Sequence, residues 1–146
     1  MPLLLVDTDF LIKIANDPLP KLDFLALASD FTLATTPSVV RELEGLAKSQ
    51  NRTVMRRATT ALDFVKQGTK KANVKVLPGT SKRRVEADLE LVEIAKADIR
   101  DRVVIATLDH SLLSRLDKLK IPYLTLRRDR PFFSFSSGAT YLSAGE

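Results

Sequence analysis

The sequence predicts one α/β domain built on a mostly parallel sheet, and three observations carry that expectation. Five short aliphatic runs recur along the 146 residues, at positions 3–6, 31–35, 74–77, 103–107 and 123–126. Segments of helical period lie between them, and strands alternating with helices build βαβ units. The composition, 45% apolar and 28% charged, is that of a compact domain and not of a disordered tail.

Taken in order, Leu3-Leu4-Leu5-Val6 ends at Asp7 and reads as a strand buried on both faces, the kind found inside a parallel sheet. Residues 10–16 and 22–28 read as short helices separated by the breaker Pro18-Leu19-Pro20. After the second strand, Thr36-Pro37 supplies an N-cap and a proline at the first helical position, starting a helix through about Lys48. Its Val39, Val40, Leu43, Leu46 and Ala47 form one stripe of helical period. A basic helix over about 53–67 ends at Gly68, and Pro78-Gly79-Thr80-Ser81 is a loop after the third strand. Residues 87–97 form a helix with Leu91, Ile94 and Ala95 spaced to face the core, and 111–119 form the last, ending before Ile121-Pro122. The tail after Arg130 has no clear period.

A chain of this length buries roughly 68–70% of its unfolded surface and needs neither disulfides nor a structural metal to fold. It contains no cysteine, which removes zinc-finger, thiol-protease and thioredoxin readings. No apolar run approaches the ~18 residues of a membrane span. The N-terminal run before Asp7 is too short for a signal peptide, so a cytoplasmic protein with no membrane contact is expected.

The net charge of +5 conceals an asymmetry. Between Lys48 and Arg84 stand eleven Lys/Arg and one acid, Asp63, so this segment carries +10 and the remainder −5. A basic middle on an acidic remainder fits a polyanionic partner beside a group that holds cations. A solvated basic helix pair would produce the same count.

In an open parallel sheet the functional crevice lies beyond the carboxyl ends of the strands. Asp7 follows the first strand and Asp109 the fourth, after Thr107-Leu108, and right-handed crossovers allow these strands to be neighbours where strand order reverses. Glu42, in the second turn of the helix after strand two, and Asp88, in the first turn of the helix before strand four, can reach the same edge. Asp88 alone has a structural explanation, because an acid near a helix N-terminus favours the dipole. Glu42 and Glu44 lie about 100° to either side of the apolar stripe, and periodicity does not choose between them. A carboxylate directly after four buried aliphatics, as at Asp7, must be partnered or bind a cation, and Thr8-Asp9 adds a hydroxyl and another acid. Four converging carboxylates offer the oxygen-only ligation that Mg²⁺ or Mn²⁺ prefers. Near a strongly basic segment, such a site suits phosphodiester hydrolysis.

Four motifs then resemble those of PIN-domain ribonucleases. Leu4-Leu5-Val6-Asp7-Thr8-Asp9 is similar to the opening motif, Pro37-Ser38-Val39-Val40-Arg41-Glu42-Leu43 to the second, Ala87-Asp88-Leu89-Glu90-Leu91 to the third and Val104-Ile105-Ala106-Thr107-Leu108-Asp109 to the fourth. The resemblance implies Asp7, Glu42, Asp88 and Asp109 as metal-binding and catalytic acids and Thr107 as the hydroxyl that orients them. Residues 104–127 look most like the branch related to the ribosomal-RNA-processing nuclease Fcf1/Utp24 and its archaeal relatives; VapC toxin-type proteins share the four acids. The chain departs from the pattern in Asp9, where the family commonly has Asn, in Ser111, where that branch often has Asp, and in Glu86, which competes with Asp88 for the third role.

The implied fold is a PIN-like three-layer α/β/α domain over residues 1–130 with a five-stranded parallel sheet of order 3-2-1-4-5, followed by an aromatic tail, 131–146, packed on the domain or a partner. The implied activity is Mg²⁺- or Mn²⁺-dependent cleavage of single-stranded RNA, as in ribosomal RNA processing, often by a homodimer, with pre-ribosomal particles or an antitoxin as partners. Arg56, Arg57, Lys82, Arg83, Arg84, Arg127 and Arg128 are the candidate RNA contacts, and Phe132, Phe133, Phe135 and Tyr141 of the tail could stack on unpaired bases. Two alternatives stand beside this one: a PIN-like RNA-binding or assembly module that does not cleave, and a HAD-type phosphatase, whose first motif Asp7-Thr8-Asp9 also resembles. His110, the one histidine, is read as a solvated neighbour of Asp109.

Overall fold

The computed structural model describes residues 2–78, 87–97, 102–126 and 133–136. Within them the chain forms β1 (Leu3–Val6), α1 (Thr8–Asn16), α2 (Pro18–Leu27), a 3₁₀ turn (Ala28–Asp30), β2 (Thr32–Thr35), α3 (Pro37–Leu46) and α4 (Arg52–Lys70). It continues through β3 (Val74–Val76), α5 (Ala87–Ala97), β4 (Val103–Ala106), α6 (His110–Leu119), β5 (Tyr123–Leu126) and β6 (Phe133–Phe135). The strands join in one sheet of order β3-β2-β1-β4-β5-β6. The first five are parallel in the expected 3-2-1-4-5 order, and β6 runs antiparallel along β5.

The unbroken aliphatic character of β1 and β4 follows from burial on both faces. Leu4, Val6, Val104 and Ala106 pack against Phe10, Ile14, Val39, Leu43 and Val65 of α1, α3 and α4. Leu5, Val103 and Ile105, one position out of phase, pack against Leu91 and Ile94 of α5 and Leu112 and Leu116 of α6. The helices therefore form two layers around the sheet, and strand order reverses between β1 and β4, at its centre.

Three local expectations are corrected. Two helices do occur, but they meet at Asp17, and Pro18 and Pro20 lie inside the first turn of α2, where the backbone N–H groups have no intrahelical partner. Gly68 does not end α4, which continues to Lys70. A Cβ at Gly68 would run into the Val74 side chain, so the glycine is the point at which helix and strand approach. The tail contributes an unforeseen strand, β6, whose Phe135 ring stacks on Phe31 with centroids 5.5 Å apart. Among the described residues no helix is long and apolar enough to cross a membrane.

Candidate functional site

β1 and β4 end side by side, because the Asp7 N–H donates to the Ala106 carbonyl at 2.9 Å. That register brings the buried Thr107 hydroxyl under both strand-end acids: it donates to Asp7 Oδ2 at 2.8 Å and accepts from the Asp109 N–H at 3.2 Å. Each acid also starts a helix. Asp7 Oδ1 accepts from the Thr8 N–H at 2.8 Å at the head of α1. Asp109 Oδ1 accepts from the Ser111 and Leu112 N–H groups at 2.8 and 3.3 Å at the head of α6.

Two further helices begin at the same edge. Thr36 caps α3, its hydroxyl accepting from the Val39 N–H at 3.2 Å, with Pro37 at the first helical position as expected. One turn later Glu42 Oε2 accepts from the Thr8 hydroxyl at 3.1 Å. Asp88 stands in the first turn of α5, with Arg115 of α6 at 3.9 Å. Glu90, buried on the same helix, accepts from the Ser38 N–H at 3.4 Å and so ties α5 to the start of α3.

The outcome is one cavity of about 340 Å³ lined by Asp7, Thr8, Asp9, Glu42, Ala87, Asp88 and Asp109. Two larger hollows, of about 580 and 610 Å³, lie elsewhere and lack this lining. Burial pushes the Asp7 carboxyl up to about 6, with the charges of Asp9 and Glu42 adding and the Thr107 and Thr8 hydrogen bonds opposing. Asp9 is raised by burial and then by the charge of Asp109. Glu42 is raised mainly by burial, with the charges of Asp9 and Asp88 acting in the same sense and the Thr8 hydroxyl opposing. Thus five acids share a field that attracts a cation and repels an unaccompanied phosphate.

The donors are carboxylate oxygens, hard ligands that suit Mg²⁺ or Mn²⁺. Among the described residues no three acids stand close enough to enclose an ion by themselves. Mg²⁺ does not require that, since it keeps several waters and binds through one or two carboxylates.

Asp7, Glu42, Asp88 and Asp109 therefore meet, and Thr107 lies directly beneath Asp7 and Asp109. Glu44 lines the 610 Å³ hollow on the other flank of α3. His110 is exposed and does not line the acid cavity. Arg56 is exposed on α4, and Arg57 is paired with Asp17 at 3.2 Å, at the far end of α1 from Asp7, about 15 Å along the helix axis. Lys82, Arg83, Arg84, Glu86, Arg127 and Arg128 lie outside the described residues. Thr8 and Asp9 also line the cavity, although neither is among the acids and hydroxyl that the motifs assign to the site. Their position directly after Asp7, in the first turn of α1, was the available signal.

No protein-family model matches the chain. No curated protein matches it either. Among solved structures it is similar to one described as the structure of the PIN domain endonuclease Utp24, with a TM-score of 0.62 and 21% identity, over 91% of this chain and 90% of that one. The chain thus has the PIN-domain fold.

Proposed function

We propose that this protein is a divalent-metal-dependent endoribonuclease that hydrolyses phosphodiester bonds of single-stranded RNA. The observation that carries the reading is the meeting of Asp7, Glu42, Asp88 and Asp109 in one cavity beyond the carboxyl ends of β1 and β4, where strand order reverses. The fold shared with a PIN domain endonuclease supports it. Asp7 with one other acid of the four, waters completing the shell, would hold Mg²⁺ or Mn²⁺, which when bound supplies an activated water and stabilises charge on the leaving oxygen. Thr107 fixes one oxygen of Asp7, and the Thr8 hydroxyl fixes one of Glu42, so the remaining lone pairs are aimed without rotamer search. No lysine is among the described residues of the cavity lining, whereas a HAD-type phosphatase needs one beside its nucleophile.

Incubation of end-labelled single-stranded RNA with the protein tests the reading. Cleavage is expected with Mn²⁺ or Mg²⁺ and not in chelator. Asp7→Asn should lose at least about 100-fold, because it removes a ligand directly, while Thr107→Val should lose about 10–100-fold through misorientation of Asp7. RNA bound but uncut by wild-type protein in Mn²⁺ would favour the non-cleaving module. Full activity in Asp7→Asn would remove the site.

A further inference from the structure

The hollow on the other flank of α3 has a composition that the acid cavity does not share. It measures about 610 Å³ and lies between α3, α4 and β3. Its floor is apolar, from Pro37, Val40, Val65 and Val76, and its rim carries Arg41, Lys66 and Lys70 against a single acid, Glu44. Lys66 and Lys70 are four residues apart on α4 and so lie on one helix face. Among the described residues neither has an ion-pair partner, and the Arg41 guanidinium is held by the neutral Ser38 hydroxyl at 2.9 Å. Three cations, none in an ion pair among the described residues, thus outnumber the one acid, Glu44, around a groove with an apolar lining.

From this groove we propose that the strand flanking the cut runs along α3 and α4, its phosphates on Arg41, Lys66 and Lys70 and its unpaired bases over the half-buried Val40 and the exposed Val76, with Val65 buried beneath them. The inference rests on the nuclease reading and assigns contacts that it left open. Continuity argues for it. Arg41 and Glu42 are consecutive on α3, so their side chains diverge by about 100°. One enters the basic groove and the other the acid cavity. A strand passing from one to the other crosses the head of α3, about one helix diameter of 10–12 Å. An apolar floor with cationic edges suits single strands, whose bases are free to turn inward, better than a duplex, whose bases are paired away.

The test measures binding separately from cleavage. In the Asp7→Asn background and in chelator, a fluorescent single-stranded RNA is titrated across a salt series. Adding Lys66→Gln and Lys70→Gln should flatten the slope of log affinity against log salt by about 1.4, 0.7 for each lost phosphate contact, and weaken binding at least about tenfold at 50 mM salt. A control pair of equal charge, Lys96→Gln with Lys118→Gln on α5 and α6 of the opposite layer, should change the slope by less than half as much. With Asp7 restored, the groove pair should raise KM for cleavage and leave kcat within twofold. If RNA binds but the groove pair matches the control pair, the groove assignment is overturned and the nuclease reading stands. If the RNA binds neither in chelator nor with Mg²⁺ added, both fall. Polyglutamate binding as tightly as the RNA, and lost in the same variant, would give the groove to an acidic protein partner and overturn the proposal.

Discussion

At Asp7 two demands fall on one carboxyl group: it must stay charged to hold a cation, and it is buried at 7% exposure among other acids. Its folded value of about 6 lies above the ordinary 3.8, so the folded chain binds this proton more tightly than the unfolded chain does. Below 3.8 both states are protonated and the cost is absent. As pH rises from 3.8 to about 6 the unfolded chain ionises first and stability falls, by up to about 3 kcal/mol above that window. Asp9 and Glu42, raised as well, act in the same direction. Asp17, lowered chiefly by its bond to Lys13, acts in the opposite one, so the informative quantity is the difference between wild type and Asp7→Asn. An asparagine there keeps the bond from the Thr8 N–H on its oxygen and turns its amide to Thr107, reversing that bond; this change does not depend on pH. Urea unfolding in chelator should show wild type losing stability relative to Asp7→Asn between pH 4 and 7. A flat difference would mean that the field at Asp7 is already compensated. Asp109 divides in another way, because it also caps α6. Asp109→Asn retains the cap and relieves repulsion, so the metal-free protein should be at least as stable as wild type. Asp109→Ala should lose about 1 kcal/mol.

At the scale of elements, two helical glycines have opposite reasons to exist. Gly68→Ala gains about 1 kcal/mol of helix propensity but drives a Cβ into Val74, a stiff β-branched residue on a strand, at an overpacking cost of about 1–3 kcal/mol. Gly45 has nothing within 4 Å of its Cβ position, so Gly45→Ala should stabilise by about 0.5–1 kcal/mol. Thermal unfolding of the pair should move the midpoint down for the first and up for the second; equal signs would mean that α4 and β3 separate easily. The same residues show where sequence was legible. The parallel strands and the helices between them follow from aliphatic runs and helical period, which are local. Glycine and proline read as punctuation, yet Gly68 serves a close approach to Val74 of the following strand, which local pattern does not show, and Pro18 begins a helix instead of breaking one. β6 escaped notice because three residues show no period and the strand exists through the free edge of β5. Amphipathic pattern locates the buried stripe of α3 but not which neighbour covers each flank. Periodicity therefore leaves Glu42 and Glu44 equivalent; the motif resemblance selects Glu42, and the packed structure puts it on the acid cavity and Glu44 on the basic groove.

Across the whole molecule the charge asymmetry becomes a spatial one, with acids at the carboxyl edge of the sheet and cations on the flank formed by α3 and α4. An RNA strand held by the second must bring a phosphate toward the first, and the five acids repel it. A divalent ion removes that repulsion, so ion and RNA should each tighten the other's binding by the same factor. Ordinary counterion competition acts the opposite way, because added Mg²⁺ displaces protein cations from phosphates and weakens binding. The two effects therefore differ in sign and are separable. With RNA carrying bridging methylene-phosphonate linkages, which keep the charge and resist hydrolysis, replacing Na⁺ by Mg²⁺ at constant ionic strength should raise affinity at least about fivefold in wild type, the lower end of ordinary coupling. Asp88→Asn, which removes one of the repelling charges and one ligand, should bind more tightly than wild type without Mg²⁺ and respond less to it. If Mg²⁺ weakens binding equally in both proteins, the acid edge and the basic flank do not share one ligand, and phosphates on α4 must lie too far from Asp7 to feel its charge.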